Sequence, residues 1–191
     1  MGTGGVSGRA AYLQARSRAV GALRGTVLEI GAGRTGSRHL LAEGTTWIAL
    51  EPDPARAVRL PAGARAPLVA RAEDIPLPDA GVDAVLSVHA LCSVDDPGAV
   101  LREIARVLRP GGALTFAEHV AAAPGTAARG LQRVIAPFTR VLDHGCDPTR
   151  DLPGLLRDSP LRTVALDTFP VRGIGPFVVG RAMHRAYPNS A

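Results

Sequence analysis

Thr26-Val27-Leu28-Glu29-Ile30-Gly31-Ala32-Gly33-Arg34-Thr35-Gly36 runs from apolar and β-branched residues straight into glycines. A short run of this kind reads as a strand buried on both faces. The glycines end it in a tight turn and let the backbone pass close to a ligand. A helix is expected to start near Thr35 to Ser37 and to carry His39, Leu40 and Leu41. Its unpaired N–H groups and positive end would favour an anionic ligand group. Glu51 closes a second apolar run, Trp47-Ile48-Ala49-Leu50, twenty residues past Gly31. A carboxylate there can take two hydrogen bonds from a ribose diol. Together these features imply a cofactor that carries a nucleoside. Gly31, Gly33 and Gly36 also fit the G-x-G-x-x-G of NAD-binding proteins. These residues alone therefore leave open NAD, another nucleoside cofactor, and a glycine-rich turn that binds nothing.

The 191 residues suffice for one domain and are too few for two ordinary ones. Hydrophobic residues make up 46% and aromatics 4%, so the core is built from Ala, Val, Leu and Ile. All 22 basic residues are arginine and the formal net charge is +5. A basic balance suits nucleic acid or anionic lipid. The arginines are scattered, however, and aromatics for base stacking are scarce, so nucleic acid is not expected as a partner. Cys92 and Cys146 stand in no metal-ligand spacing, so no metal is expected. The Gly-rich N-terminus lacks the apolar core of a secretory signal. No stretch approaches the ~20 apolar residues that span a bilayer. The expectation is a cytoplasmic protein with reduced thiols.

Residues 1–8 read as a disordered N-terminus, 9–182 as a single domain and 183–191 as a tail. Arg9 to Leu23 reads as a helix with Tyr12, Arg16, Ala19 and Leu23 on one face, and Gly25 ends it. After the second strand, Pro52 and Pro54 open a short helix through Val58. Pro67 to Ala70 is a weak third strand, Arg71 to Asp79 a loop, and Val82 to Val88 a fourth strand. Asp95-Asp96-Pro97 signals a helix start, with Val100, Leu101, Ile104, Val107 and Leu108 at helical spacing. Pro110-Gly111-Gly112 stops that helix and Ala113 to Ala117 is the fifth strand. This alternation predicts a parallel sheet with helices on both faces. Leu131, Val134, Ile135, Phe138, Val141 and Leu142 form an apolar helical stripe, interrupted by Pro137. That stripe fits a core-packing helix, a lid over the site, or a surface that touches membrane. Asp151 to Asp158 is a last short helix, and Leu161 to Phe169 with Phe177 to Ala182 suit an antiparallel hairpin at the sheet's end.

The ordered blocks VLEIGAG, ALEPD, AEDIPLPDAGVDAV and LREIARVLRPGGALTFAEH closely resemble the class I S-adenosylmethionine-dependent methyltransferases. Leu-Arg-Pro-Gly-Gly before the fifth strand is far more specific than the glycine loop. The resemblance implies a Rossmann-like α/β fold with a seven-stranded, mostly parallel sheet whose last strand is antiparallel. It also implies S-adenosylmethionine as cofactor. Ala90-Leu91-Cys92-Ser93-Val94, Glu118-His119-Val120-Ala121-Ala122, and Gly145-Cys146 with Thr149-Arg150 are similar to the methyltransferase-like 7 group. That group comprises animal membrane-associated thiol S-methyltransferases and their bacterial relatives. The sequence shows no hydrophobic N-terminal anchor like that of the animal proteins, so their location is not carried over. Arg34 and Thr35 separate Gly33 from Gly36, where many members have Gly-x-Gly-x-Gly. Arg71 stands where many members have an Asp that reads the adenine amino group.

Carried onto this sequence, the resemblance implies that Glu29 faces the methionine ammonium, directly or through water. Gly31, Ala32 and Gly33 pass under the cofactor, and Glu51, followed by Pro52, holds the ribose. Ala72 backbone with Glu73 replaces the missing adenine contact, and carbonyls near Ser87 and Val88 accept from the ammonium. The substrate side opens at the carboxyl ends of the strands, with His89, Cys92 and Glu118 there. Phe138 and His144 belong to a lid-like insertion spanning about residues 121–150. His119 is the candidate base, and a buried histidine that hydrogen-bonds the lid is the competing reading. The expected reaction is methyl transfer to a small lipophilic acceptor, first a thiol, alternatively an oxygen or nitrogen of a secondary metabolite. A catalytically silent cofactor-binding module is the rival of another class.

Overall fold

The computed structural model describes residues 8–33, 36–61, 66–142, 145–171 and 175–185. In chain order it contains α1 (Gly8–Gly21), β1 (Thr26–Ile30), a single 3-10 turn (Arg38–Leu40), β2 (Thr46–Leu50), α2 (Pro54–Ala57) and β3 (Val82–Val88). Then follow α3 (Pro97–Val107), β4 (Leu108–His119), α4 (Ala127–Leu142), α5 (Leu152–Arg157), β5 (Leu161–Val171) and β6 (Gly175–His184). The strands form one sheet in the order β2-β1-β3-β4-β6-β5. The first four pair in parallel, and β6 runs antiparallel to both β4 and β5.

Side chains alternate across the sheet, as the pleat requires. Leu28, Ile30, Ile48, Leu50, Val85, Leu114 and Phe116 meet α3 and α5 on one face, through Val100, Leu101, Ile104, Leu152 and Leu156. Val27, Ala84 and Leu86 meet Val20 of α1 on the other, where Tyr12 and Ala15 also pack on Phe177 and Val179. Each such large side chain contributes about 1.5–3 kcal/mol by leaving water. Aspartate starts three helices: Asp53, Asp96 and Asp151 accept from the N–H of Ala55, Ala99 and Gly154 at 2.8, 2.9 and 3.0 Å. Proline at the first or second position follows each. Such a cap stabilises a helix by ~1 kcal/mol.

Five expectations are corrected. Among the described residues the sheet has six strands rather than seven. Around Leu68 the expected third strand shrinks to one bridge beside Leu50, held by Leu68 N–H to Ala49 O (2.8 Å) and Glu51 N–H to Leu68 O (3.0 Å). Pro67 has no N–H to extend that ladder. The helix expected after Gly36 is only the 3-10 turn at Arg38–Leu40. The strand after Pro110-Gly111-Gly112 begins earlier than expected, at Leu108. Pairing steps from Val82–Leu108 to Ala84–Ala113, so residues 109–112 leave the register. Gly111 there takes φ +80°, and a Cβ on Gly112 would lie 2.9 Å from Asp83 O.

The fifth correction concerns α4. Its buried side chains are Gln132 and Ala136, while Leu131, Val134, Phe138, Val141 and Leu142 are 49–81% exposed. The core-packing reading of that stripe therefore fails. Gln132 mounts the helix through polar contacts, accepting from Ala122 N–H at 2.7 Å and donating to Val120 O at 3.0 Å. No helix among the described residues is long and apolar enough to cross a membrane.

Candidate active site

The carboxyl ends of β1, β3 and β4 meet the start of β6 around a cavity of about 720 Å³. One end is lined by Leu50, Glu51, Pro52, Arg56, Arg71, Ala72 and Glu73, and the middle by Glu29, Gly31, Ala32, Gly33 and Ser37. The other end is lined by Arg16, His89, Cys92, His119, Cys146 and Phe177.

Two buried glutamates shape its floor. Glu29 is 3% exposed. Its carboxylate accepts from Ser37 N–H (2.8 and 3.0 Å), Ser37 Oγ–H (2.7 Å) and Trp47 Nε1–H (2.8 Å). Burial pushes this carboxyl up, against the pull of those donors. The carboxylate thus takes the N–H that the expected helix start would have offered to an anion. Glu118 lies fully buried on β4. It accepts from Ser87 Oγ–H (2.6 Å) and from the N–H groups of Ala90, Leu91 and Cys92 (3.0, 3.1 and 3.2 Å). Burial pushes it up as well, opposed by the same four donors. It braces the turn after β3 from beneath and does not line the cavity.

Glu51 ends β2 and accepts from Gly33 N–H (2.8 Å) and Asp53 N–H (3.1 Å), tying the glycine turn to the rim. A Cβ on Gly31, which has φ +61°, would lie 2.7 Å from the Ala90 side chain, so backbone and turn touch directly. Above Gly33 a Cβ would meet nothing within 4 Å, which leaves room for a ligand over the turn. Arg71 reaches Glu73 and Asp95 at 3.3 and 2.6 Å, and these contacts hold Asp95 below the usual carboxylate range. Glu73 also accepts from the N–H groups of Asp95 and Asp96.

At the far end, His119 stacks on Phe177 with centroids 4.1 Å apart, and its Nδ1 lies 3.6 Å from Cys146 Sγ. His89 takes φ +55°, a left-handed conformation that strains a non-glycine residue. Its Nε2 lies 2.9 Å from Tyr12 OH, and burial pushes that phenol up, so the hydroxyl keeps its proton. Ser87 and Val88 end β3; Val88 lines the cavity and Ser87 is buried behind it. Phe138 is 64% exposed on α4 and does not line the cavity. His144 lies outside the described residues, as do Arg34 and Thr35.

Sequence reasoning overlooked Arg16, Ser37 and Phe177 as cavity residues. Arg16 carries the clearest signal, being a charge four residues after Tyr12 on the buried face of α1. Its Nε is buried without a hydrogen-bond partner. An orphaned guanidinium atom lining the same cavity as the open glycine turn fits the carboxylate of a bound amino-acid moiety. The buried Glu51 rim fits a ribose diol. The residues present therefore fit S-adenosylmethionine, with Arg16 at the methionine carboxylate and Glu51 at the sugar.

Residues 28–116 match the methyltransferase domain family. Human thiol S-methyltransferase TMT1B is 36% identical over 121 residues, which is 61% of this chain and 50% of that protein. The rat TMT1B protein is 36% identical over 111 residues, 56% of this chain and 46% of its own length. The chain thus spans about half the length of the curated relatives it matches. A Thermotoga maritima structure described as a SAM-dependent methyltransferase superposes with TM-score 0.65 at 27% identity, over 93% of this chain and 91% of its own. Glycine turn, buried rim carboxylate, strand order and these matches agree: residues 28–116 match the methyltransferase domain family, the chain shares the fold of a SAM-dependent methyltransferase, and its cavity fits S-adenosylmethionine.

Proposed function

We propose that the chain methylates a small lipophilic thiol. The observation that carries this reading is the end of the cavity away from Glu51, where Phe177, Cys92 and Cys146 form a wall with the imidazoles of His89 and His119 beside Arg16. The cofactor supplies an electrophilic sulfonium methyl, and the chain's task is to align an acceptor with it. Good alignment alone lowers a barrier by ~7–11 kcal/mol. Arg16 and Glu51 anchor the two ends of the cofactor, Gly31 to Gly33 lie beneath it, and Ala72 with Glu73 borders the adenine. Glu29 acts through Ser37 and Trp47 to hold the turn. Glu118 acts through the backbone N–H groups of residues 90–92 to place Cys92. The His119 imidazole takes the acceptor's proton.

A thiol with pKa ~8.5 is already a few per cent thiolate at neutral pH, so it asks little of that base. The thiol S-methyltransferase names of the animal relatives support sulfur. Methylation of a metabolite oxygen or nitrogen is the alternative, and a silent cofactor-binding module is the rival. The outward stripe Leu131, Val134, Phe138, Val141 and Leu142, beside Arg133 and Arg140, supports peripheral contact with an anionic membrane that delivers lipophilic acceptors. The reading places the chain in a reducing compartment such as the cytoplasm.

The test is methyl transfer from labelled S-adenosylmethionine to alkyl thiols and to phenols, in wild type and His119→Ala. For a thiol, kcat/KM rises with pH up to the acceptor's own pKa and the His119→Ala loss stays near tenfold. A phenol needs its proton removed in the site, so the same change costs ~10²–10⁴-fold. Turnover of phenols or amines without thiols overturns the sulfur assignment. S-adenosylhomocysteine binding without any turnover favours the silent module.

A further inference from the structure

The cavity wall contains a chemical pair that methyl transfer does not use. The chain has two cysteines. Cys92, in the turn after β3, is 2% exposed, and Cys146, ahead of α5, is 4% exposed. Both line the same cavity. Their backbones are stitched together on either side of the thiols. Asp147 N–H donates to Cys92 O at 2.9 Å. Arg150 Nη1 donates to the carbonyls of Leu91 and Val94 at 2.7 and 2.8 Å. A Cβ on Gly145 would lie 2.8 Å from Ser93 O, so the two segments are in backbone contact. The neighbouring Cys146 thiol, together with burial, pushes the Cys92 thiol up. Cys146 Sγ in turn lies 3.6 Å from His119 Nδ1, an imidazole able to accept its proton.

We propose that Cys92 and Cys146 are a reversible dithiol–disulfide pair that closes the acceptor end of the cavity when a hydroperoxide is present. Calling that end the acceptor site rests on the methyl-transfer reading; the pair itself does not. His119 draws the proton from Cys146, whose sulfur attacks the peroxide's outer oxygen. An S–O bond forms, the O–O bond breaks, and the alcohol or water leaves with a proton. Cys92 then attacks the sulfenic sulfur; the S–S bond forms, the S–O bond breaks, and water leaves with the Cys92 proton. Two thiols and one hydroperoxide thus become one disulfide, one alcohol (water when the oxidant is hydrogen peroxide) and one water, a two-electron change. Contracting a thiol contact to a bond of ~2.05 Å pulls Cys146 away from His119 and draws the 145–150 segment onto the turn after β3. The neighbouring Cys146 thiol and burial keep Cys92 protonated, while Cys146 Sγ lies beside His119 Nδ1, which assigns first attack to Cys146. In a reducing compartment such a bond is transient and regulatory.

The experiment treats the full chain with hydrogen peroxide and reads three things. Mass spectrometry after cleavage at arginine is expected to find peptides 72–102 and 141–150 joined within one molecule and separated by dithiothreitol. Affinity for S-adenosylhomocysteine falls far less than kcat/KM, because the glycine turn and Glu51 are at the other end and of the proposed cofactor anchors only Arg16 shares the closing end. With a thiol acceptor, kcat/KM falls by ~10²-fold for a displacement near 1 Å and recovers on reduction. Cys92→Ala and Cys146→Ser are each expected to show the same activity before and after peroxide, whatever their starting level. The proposal is overturned if both thiols of the treated native chain still react with maleimide, if only intermolecular bonds form, or if the bridged chain keeps its kcat/KM. If the bridge forms in a chain that, reduced, methylates nothing, the methyl-transfer reading falls and the thiol pair stands.

Discussion

Replacing Glu118 separates its bracing role from a role in contact with substrate. Its Oε1 accepts from Ser87 Oγ–H and from the N–H groups of Ala90 and Leu91, and its Oε2 accepts from Cys92 N–H. Glu118→Gln can keep Oε1 in place, so only Cys92 N–H loses its acceptor and faces an amide NH2. One buried donor left unsatisfied costs about 1–3 kcal/mol. Glu118→Ala strands all four donors. Even with entering water restoring some of those bonds, the loss is at least ~4 kcal/mol, a large share of the ~5–15 kcal/mol that holds a domain together. Urea unfolding followed by the fluorescence of Trp47, the chain's one tryptophan and buried in β2, measures both. The expected outcome is a lower midpoint at unchanged slope for Gln and a far larger drop for Ala. The pH dependence follows from the raised Glu118 carboxyl. A folded-state pKa above the unfolded one means that wild-type stability falls as pH rises from the unfolded carboxylate range through the folded value. Glutamine does not titrate. The gap between wild type and Glu118→Gln is therefore widest in acid and narrows as pH rises through that window. A Gln variant with the wild-type midpoint, or a gap that widens with pH, would refute the reasoning.

Glu103 behaves in the opposite sense. Arg106 and the N–H of Ile75 hold its carboxyl below the usual range, so Glu103→Gln costs about 1–2 kcal/mol at neutral pH. That difference disappears in unfolding titrations as pH falls from the ordinary carboxylate range through the lowered folded-state value. On α4, Gln132→Ala is expected to lower stability by about 2–4 kcal/mol by stranding Ala122 N–H and Val120 C=O. Phe138→Ser stays within about 0.5 kcal/mol because the ring is exposed; equal effects of the two changes in the same urea assay would contradict the outward orientation of the stripe. Glu51→Gln is expected to weaken S-adenosylhomocysteine binding by about 1.5–3 kcal/mol in calorimetry. Unchanged affinity would leave Glu51 only the turn-organising contacts to Gly33 and Asp53.

The strand-to-glycine passage at Thr26–Gly36, the second apolar run ending at Glu51, the Asp-capped helices and the terminal hairpin were all legible in the amino-acid order. Each is a local pattern: hydrophobic period, turn chemistry and capping act over a few residues. The same locality explains the misreadings. An apolar stripe with a helical period states that a helix has two unlike faces and not which one is buried; on α4 the pairing of Gln132 with Val120 and Ala122 decided that. The third strand dwindled to a bridge at Leu68 because pairing needs a partner ladder, which single-strand propensity does not contain. Glu29 and Glu118 look alike in sequence, one residue before or after an apolar neighbour. Only packing revealed that each carboxylate lies beneath a loop and gathers that loop's donors, since a buried charge persists only where hydrogen bonds surround it. Arg16, Phe177 and the Cys92–Cys146 pair come from segments far apart in the chain, and the crossover of β6 between β4 and β5 brings them to one cavity. The order of residues determined the fold class and the cofactor end, because those depend on contiguous motifs; the acceptor end was decided by tertiary structure, because its wall is assembled from side chains that share nothing in sequence but the sheet edge on which they meet.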